Sequence, residues 1–557
     1  MSLQAVDAGK GVRMTRYAPD HDDSFRPRQR RLRRPIWVTA GVLAAALVAA
    51  ALVWVPPRLA CGLGSGLVER GGECIGVTDG SPAFVPGEKS GLEQQFRAIQ
   101  ALIKAENDSV AASGEEAVTV ALLTSLTPVD GGPLSPQQTL RSMQGAYVAQ
   151  KRANDPAGGM GDAQPKVRLH LANTGSRQTQ WQPVAEELAS MKDAGAPLVA
   201  TVGGGVSTRI TEDAFRALAD EKIPMFAAVA SADGLNRSGR TGGGADREGR
   251  IEGLVRITPS NTDFVLALKD YVKERGDLEN AILLFDESEP DLHVATLTEA
   301  FRKHMAEEIG GTPDQPFSGS TGTDDAKSHP FSPLVRSICR TEADMVLFSG
   351  RTADLEKFLV QLTDRPCKET RQFAVLFAET GPALSADEEK TLGNAGITMV
   401  YASSYDPGWR ADAREGEPVP VGFADFHRAF VEHLGEEDLS ALESGDTERG
   451  QGSKAPDAEV YAALSNGYAV AHHDAVMAAV QAIRLSNEDN DGGDISAERV
   501  IQVQFNLNID NVVEGAGGSL EFRPDRNGDP TGKLVPVIEL PPAGNRIDPY
   551  VTGSGTR

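Results

Sequence analysis

The sequence predicts an α/β protein of two doubly wound lobes, preceded by one transmembrane helix. Three observations carry that expectation. In Pro197–Asp233 an apolar run, Leu198–Val202, ends in Gly203–Gly205. A helical pattern with Ile210, Phe215 and Leu218 follows, and then a second apolar run, Ile223–Val229. That order is a parallel βαβ unit whose loops lie at the carboxyl ends of the strands, where ligands sit in open α/β sheets. The alternation of strand and helix restarts after Arg256–Ser260, giving a second set of similar size. Finally, Ile36–Val55 carries no charge and is long enough to cross a bilayer.

The elements can be justified in chain order. Leu92, Phe96, Ile99 and Ile103 fall on one face of a helix. Ala117–Leu126 is a buried strand, followed by a helix over 137–152, a strand over Lys166–Ala172 and a helix over Trp181–Lys192. These lead into the βαβ stretch. In the second set, helices are expected over Asp263–Arg275, Leu292–Glu308 and Ala353–Leu362. Strands are expected over Ala281–Asp286, Asp344–Gly350, Phe373–Ala378 and Ile397–Ala402. Two further helices, Phe423–Leu434 and Val460–Leu485, precede a hairpin-like segment, Gly518–Leu540, that turns at Asn527-Gly528.

Charge sets the topology. Six arginines between Arg26 and Arg34 precede the apolar span, and Trp37 and Trp54 flank it. The positive-inside rule therefore leaves residues 1–35 as a cytoplasmic basic tail and 36–55 as an uncleaved anchor, with the remainder extracytoplasmic. A cleaved signal peptide and a lipoprotein signal ending at Cys61 are the alternatives; the basic region is long for the first and Arg58 is misplaced for the second. Four cysteines suit an exported chain, and the simplest pairing joins neighbours, Cys61 with Cys74 and Cys339 with Cys367. No CxxC supports zinc. The net charge of −24 excludes a nucleic-acid partner.

The order of VTVALLTSLTP, LVATVGGGVSTRI, IPMFAAVAS, LVRITPSNTDFVLALKDYV, ADMVLFSGRTADLEKFLVQL, HHDAVMAAVQAI and GAGGSLEFRPDRNGDP resembles the type I periplasmic binding proteins, in particular the branch that binds branched-chain amino acids. The resemblance covers about residues 117–540. It implies two Rossmann-like lobes, 116–259 with 403–505 and 260–402 with 506–545, joined by three crossovers. These would fall near Thr258–Ser260, Tyr401–Pro407 and Phe505–Gly515. Residues 56–115 would be a linker with a cysteine loop and a helix, and 546–557 a flexible tail.

The resemblance also implies a ligand site between the lobes. A ligand carboxylate would sit at Ser207, with Thr208 beside it, Ala228 and Ser231 at the end of the next strand, and Thr127 on the loop after the first. Free N–H groups at a glycine turn and helix start suit an anion, although a capped helix without ligand explains the same residues. In the second lobe Glu379 would hold an ammonium group. Asp286, Ser349 and Arg351 close second-lobe strands, and Tyr405 lies in the second crossover, completing the candidate set. The tyrosine expected after Ala281–Phe285 is missing, since the chain reads DESEPDLHV there. Arg351 stands where relatives carry an aromatic and would favour a second anionic group, unless it is a solvated surface arginine. Branched-chain specificity is therefore not expected.

Asn487–Glu498 has calcium-loop spacing, but Asp494 occupies the usual apolar position, so a solvated acidic loop is the simpler account. His472 and His473 are adjacent on a helix and point apart, which disfavours a metal pair. No nucleophile elbow, HExxH or P-loop occurs. The expected function is that of a membrane-anchored solute-binding protein, not an enzyme, with no cofactor, taking a small amino-acid-like ligand and serving an ABC permease or a sensory partner. A ligand-free scaffold for cell-envelope proteins is the alternative.

Overall fold

The structure, a computed structural model, describes residues 61–62, 64–87, 90–129, 131–161, 163–237, 249–288, 291–319, 331–378, 384–434, 464–488, 494–542 and 547–553. All of these residues fall in one compact unit, Arg58–Arg557. The expected tail and membrane span lie outside the described residues, among which no helix is long and apolar enough to cross a membrane. Glu379 and residues 489–493 of the acidic loop 487–498 also lie outside them.

Among the described residues, seven strands form the first sheet: β1 (Val68–Arg70), β2 (Glu73–Thr78), β3 (Ala117–Thr124), β4 (Lys166–Asn173), β5 (Leu198–Gly203), β6 (Met225–Ala227) and β7 (Leu254–Arg256), in the order β1-β2-β4-β3-β5-β6-β7. From β4 to β7 the pairing is parallel. The second sheet contains β8 (Ala281–Asp286), β9 (Gln315–Phe317), β10 (Met345–Ser349), β11 (Phe373–Ala378) and β12 (Ile397–Ala402). The remaining strands are β13 (Val513–Gly515), β14 (Gly518–Phe522), β15 (Pro530–Val535), β16 (Val537–Leu540) and β17 (Tyr550–Val551). Of these, β16 pairs antiparallel with β12, and the other four make a small sheet.

Both large sheets are covered on both faces, because successive residues of a strand point to opposite sides. Val118, Val120 and Leu122 of β3 join one core, while Ala121 and Leu123 join another. Val346 and Phe348 of β10 face away from Met345 and Leu347 in the same way. The helices that matter below are α1 (Glu93–Ser113), α2 (Pro136–Asn154), α3 (Trp181–Ser190), α4 (Arg209–Asp220), α5 (Asn261–Arg275), α6 (Leu292–His304), α7 (Thr352–Thr363), α8 (Phe423–Leu434), α9 (Tyr468–Glu488) and α10 (Ala497–Val503). Residues of α8, α9 and α10 return to the core of the first lobe.

Two expectations about boundaries are corrected. Residues 56–115 are more than a linker, because β2 pairs with β4 and α1 buries Phe96, Ile99 and Ile103 in the first core. The third crossover also falls later than 505–515. Leu507, Val513, Leu520 and Phe522 are still in the first core, whereas Val535 belongs to the second. The hairpin turn at Asn527-Gly528 lies between them. Both expected disulfides are present, Cys61–Cys74 and Cys339–Cys367.

A charged chain runs through this crossover. Lys533 Nζ lies 3.3 Å from Asp474 Oδ2 on α9, both fully buried. The Asp474 carboxylate also accepts the N–H groups of Ala516 and Gly517 and faces His473 at 3.0 Å, which in turn meets Arg152 of α2 at 2.9 Å. Burial alone would push the Asp474 carboxyl up, but Lys533, His473 and the Gly517 N–H outweigh it and hold it below the ordinary value.

Candidate functional site

The glycine loop after β5 adopts positive φ at Gly203, Gly204 and Gly205 (+91°, +78° and +78°). A side chain at Gly204 would meet the Phe215 ring 2.4 Å away, and one at Gly205 would run into the amide of Gln178. Only glycine fits both the dihedral and the space. The loop delivers Thr208 as the N-cap of α4, where its hydroxyl accepts the N–H of Thr211. That is the ordinary capping arrangement. The buried Ser207 hydroxyl accepts the N–H of Ala232 at 2.9 Å, tying the loop to the segment that follows β6. Its own proton remains for a donor role.

The second lobe meets this loop directly. The Ser207 carbonyl accepts from the N–H groups of Leu292 and His293, each at 3.2 Å, and from the Arg351 guanidinium at 3.3 Å. Thr208 bridges Asp291 in antiparallel fashion. Asp291 caps α6 through the N–H of Val294 and holds Arg351 in a two-pronged pair at 2.7 and 2.8 Å. Such forks are geometrically selective as well as strong. Ser231 Oγ meets His293 Nδ1 at 2.8 Å, and the Asp233 N–H donates to Thr296. The carboxyl ends of both sheets thus face each other across a seam made of named hydrogen bonds.

Arg351 is therefore neither a surface arginine nor a free anion receptor. It is 5 % exposed and its charge is answered by Asp291. Other candidates are also placed differently from the expectation. Tyr405 is buried among Trp409 and Phe423 in the first core. The Ser349 hydroxyl is turned inside the second lobe onto Thr298 and the Val294 carbonyl. Ala228 is buried, its N–H on the Gly203 carbonyl. Thr127 bonds Glu73 and Asn173, and Glu73 also holds the N–H and hydroxyl of Ser176. Asp286 closes β8, buried, beside a small cavity. No group of acids, histidines or cysteines suited to a metal occurs among the described residues.

Sequence reasoning overlooked Asp291 and His293. Their signal was an aspartate opening an amphipathic run in PDLHVATL, which is an N-cap pattern. Complete burial, with the Arg351 charge adding to it, holds the His293 imidazole far below its ordinary value. The folded seam needs the neutral ring, so its contribution is present above the unfolded value of about 6.5 and is lost as pH falls below it. A His293→Gln variant is expected to lose less stability than wild type between about pH 6.5 and pH 5 in thermal melts. An identical acid slope in the two proteins would refute this.

The fold is shared with solved structures of solute-binding proteins. A leucine binding protein from Thermotoga maritima matches with a TM-score of 0.51 at 17% identity, covering 78% of this chain and 98% of its own. The substrate binding protein of a branched-chain amino acid transporter from Streptococcus pneumoniae, in complex with isoleucine, matches at 0.51 and 14% identity, covering 78% and 99%. A solute binding protein of an ABC transporter from Rhodopseudomonas palustris, in complex with p-hydroxybenzoic acid, matches at 0.50 and 14% identity, covering 78% and 97%. No protein-family model matches the sequence, and no curated protein does. Two covered α/β sheets, crossed by the chain and facing each other at their carboxyl ends, have the fold of the type I periplasmic binding proteins.

Proposed function

We propose that this chain is a membrane-anchored, extracytoplasmic solute-binding protein that closes its two lobes over a small polar, amino-acid-like solute, for an ABC transporter or a sensory partner. Its amino terminus would be cytoplasmic and residues beyond the 36–55 span outside. The observation that carries this reading is the seam itself, where the Ser207 and Ser231 hydroxyls of one lobe oppose Asp291, His293 and Arg351 of the other. Two lobes joined by a few crossovers close by hinge motion, which brings such opposed groups together. Isoleucine and p-hydroxybenzoic acid, held by two of the structural neighbours, share a carboxylate. A carboxylate suits the proton that Ser207 retains.

One observation favours the other reading, a ligand-free envelope scaffold: the Ser207 carbonyl already fills the place on α6 and Arg351 that a ligand oxygen would take. Thermal melts of residues 58–557 with a panel of amino acids and organic acids separate the two. A solute at a hundredfold excess over its Kd is expected to add about 2.7 kcal/mol. That gain should vanish in Ser207→Ala and in Glu379→Ala. A flat panel would sink the solute reading and leave the scaffold.

A further inference from the structure

Residues 547–553 lie beyond the stretch that resembles the binding proteins, and they are not the flexible tail expected there. Their strand, β17, pairs antiparallel with β15, with Tyr550 opposite Val535 and Val551 opposite Leu534. Three further hydrogen bonds extend the contact. The Gly532 N–H donates to the Thr552 carbonyl at 3.0 Å, and the Thr552 N–H donates to the Lys533 carbonyl at 2.9 Å. The Lys533 N–H donates to the Thr552 hydroxyl, also at 3.0 Å. Thr552 is buried. Gly553 has φ of +78°, and a Cβ there would stand 2.8 Å from the Thr531 methyl, so the segment seats closely on β15.

β15 is the strand on which the chain passes from the first lobe to the second. Successive side chains of a strand point apart, and here Leu534 packs against the first core while Val535 belongs to the second. Lys533, just before them, holds Asp474 of the first lobe. One edge of β15 pairs with β14, whose Leu520 and Phe522 lie in the first core. The other edge pairs with β17, where Tyr550, like Ile547 before it, packs against the second core. Each lobe therefore holds one edge of the crossing strand. Tyr550 also brings its hydroxyl to 3.5 Å from Asp263 at the start of α5, beside the first crossover. Packing is looser on that side. Tyr550 and Gly553 share a cavity of about 370 Å³ with Ser260, Thr262 and Asn527, which leaves the crossovers room to move.

We propose that residues 547–553 form a strap across the hinge, which holds the lobes in the arrangement where the Ser207 carbonyl meets α6 and lets them part when it is released. A hinge is the few residues whose dihedrals absorb a domain motion. Pairing on both edges fixes those dihedrals over Gly532–Val535. Parting of the lobes must then break strap hydrogen bonds or be absorbed wholly at the other crossovers. The strap acts without any solute, so it stands or falls independently of what the cleft binds.

The test follows amide hydrogen exchange by mass spectrometry in the full chain, held in detergent micelles without added ligand. Peptides that include Leu292 and His293 report the seam, because both N–H groups donate to the Ser207 carbonyl and neither touches the strap. Peptides over Val120–Leu122 of β3, buried in the cores, report global unfolding. A variant lacking 547–557 is expected to exchange about tenfold faster at the seam, with β3 unchanged. A peptide of sequence 547–557 added in trans should restore the seam. Thr552→Val, which keeps the shape and removes the acceptor for Lys533, should speed seam exchange roughly threefold to tenfold and serves if the truncated chain fails to fold. Faster exchange in β15 alone, with the seam as in wild type, would overturn the strap and leave a local edge strand. Equal acceleration at the seam and in β3 would overturn it too, since the segment would then support overall stability and not the hinge.

Discussion

Replacing Lys533 by methionine is expected to cost the protein about 3–5 kcal/mol, because it leaves a buried carboxylate without its counter-charge. Asp474 is fully buried at the point where the chain returns from the first lobe to the second. Two backbone N–H groups and His473 would still bind it, so the loss is electrostatic and not a simple cavity. The sign of the pH dependence follows. In wild type the Asp474 carboxyl is held below its ordinary value, so its contribution is present above about pH 4 and is lost as pH falls through the lower folded value. Without Lys533 burial dominates and the carboxyl rises, so the defect should be largest near pH 7 and shrink in acid. Lys533→Met combined with Asp474→Asn should recover much of the loss, since removing both charges costs less than removing one. Urea melts at pH 7 and pH 4.5 measure all three quantities. A single variant within about 1 kcal/mol of wild type at pH 7 would show that the pair is not a determinant of the crossover.

Local pattern made most of this fold legible. The apolar runs of β3, β5, β8, β10 and β11 are continuous because helices cover both faces, and such runs are hard to mistake at strand length. The Asn527-Gly528 turn was readable from two residues, and Asn527 indeed has φ of +54°. Short edge strands were not readable. β1 and β9 have three residues each, and their place is set by pairing with β2 and β8, which are remote or weakly patterned in sequence. The site was legible on the side where loop chemistry is local. Gly203–Gly205 and Thr208 announce a turn and a cap by themselves. Arg351 was misread because its partner, Asp291, is brought to it only by the packing of α6 against β10. A charge alone in sequence looks solvated or ligand-seeking, and only tertiary contact reveals that it is already matched. Tyr405 was misread for the same reason, its ring being claimed by Trp409 and Phe423.

The seam can be tested through that match. Arg351→Met is expected to destabilise residues 58–557 by about 3–5 kcal/mol, as breaking a buried pair does, with Asp291 left 9 % exposed and unanswered. Asp291→Asn should cost less, because the asparagine still caps α6 and most of the loss is the fork to Arg351. The more informative consequence concerns the equilibrium between open and closed lobes. In wild type the Ser207 carbonyl takes two N–H groups of α6 and one guanidinium donor, so the two lobes satisfy each other directly at this point. Removing the guanidinium favours the open state, and the radius of gyration from small-angle scattering should rise in Arg351→Met without ligand. A solute must displace this internal contact to enter, so its apparent affinity is reduced by the fraction of molecules that are open. Arg351→Met should therefore bind a solute that does not touch the guanidinium more tightly than wild type, by the factor through which the open fraction increases. If scattering shows opening while affinity falls, the guanidinium itself contacts the solute, and Arg351 is shared between the latch and the ligand.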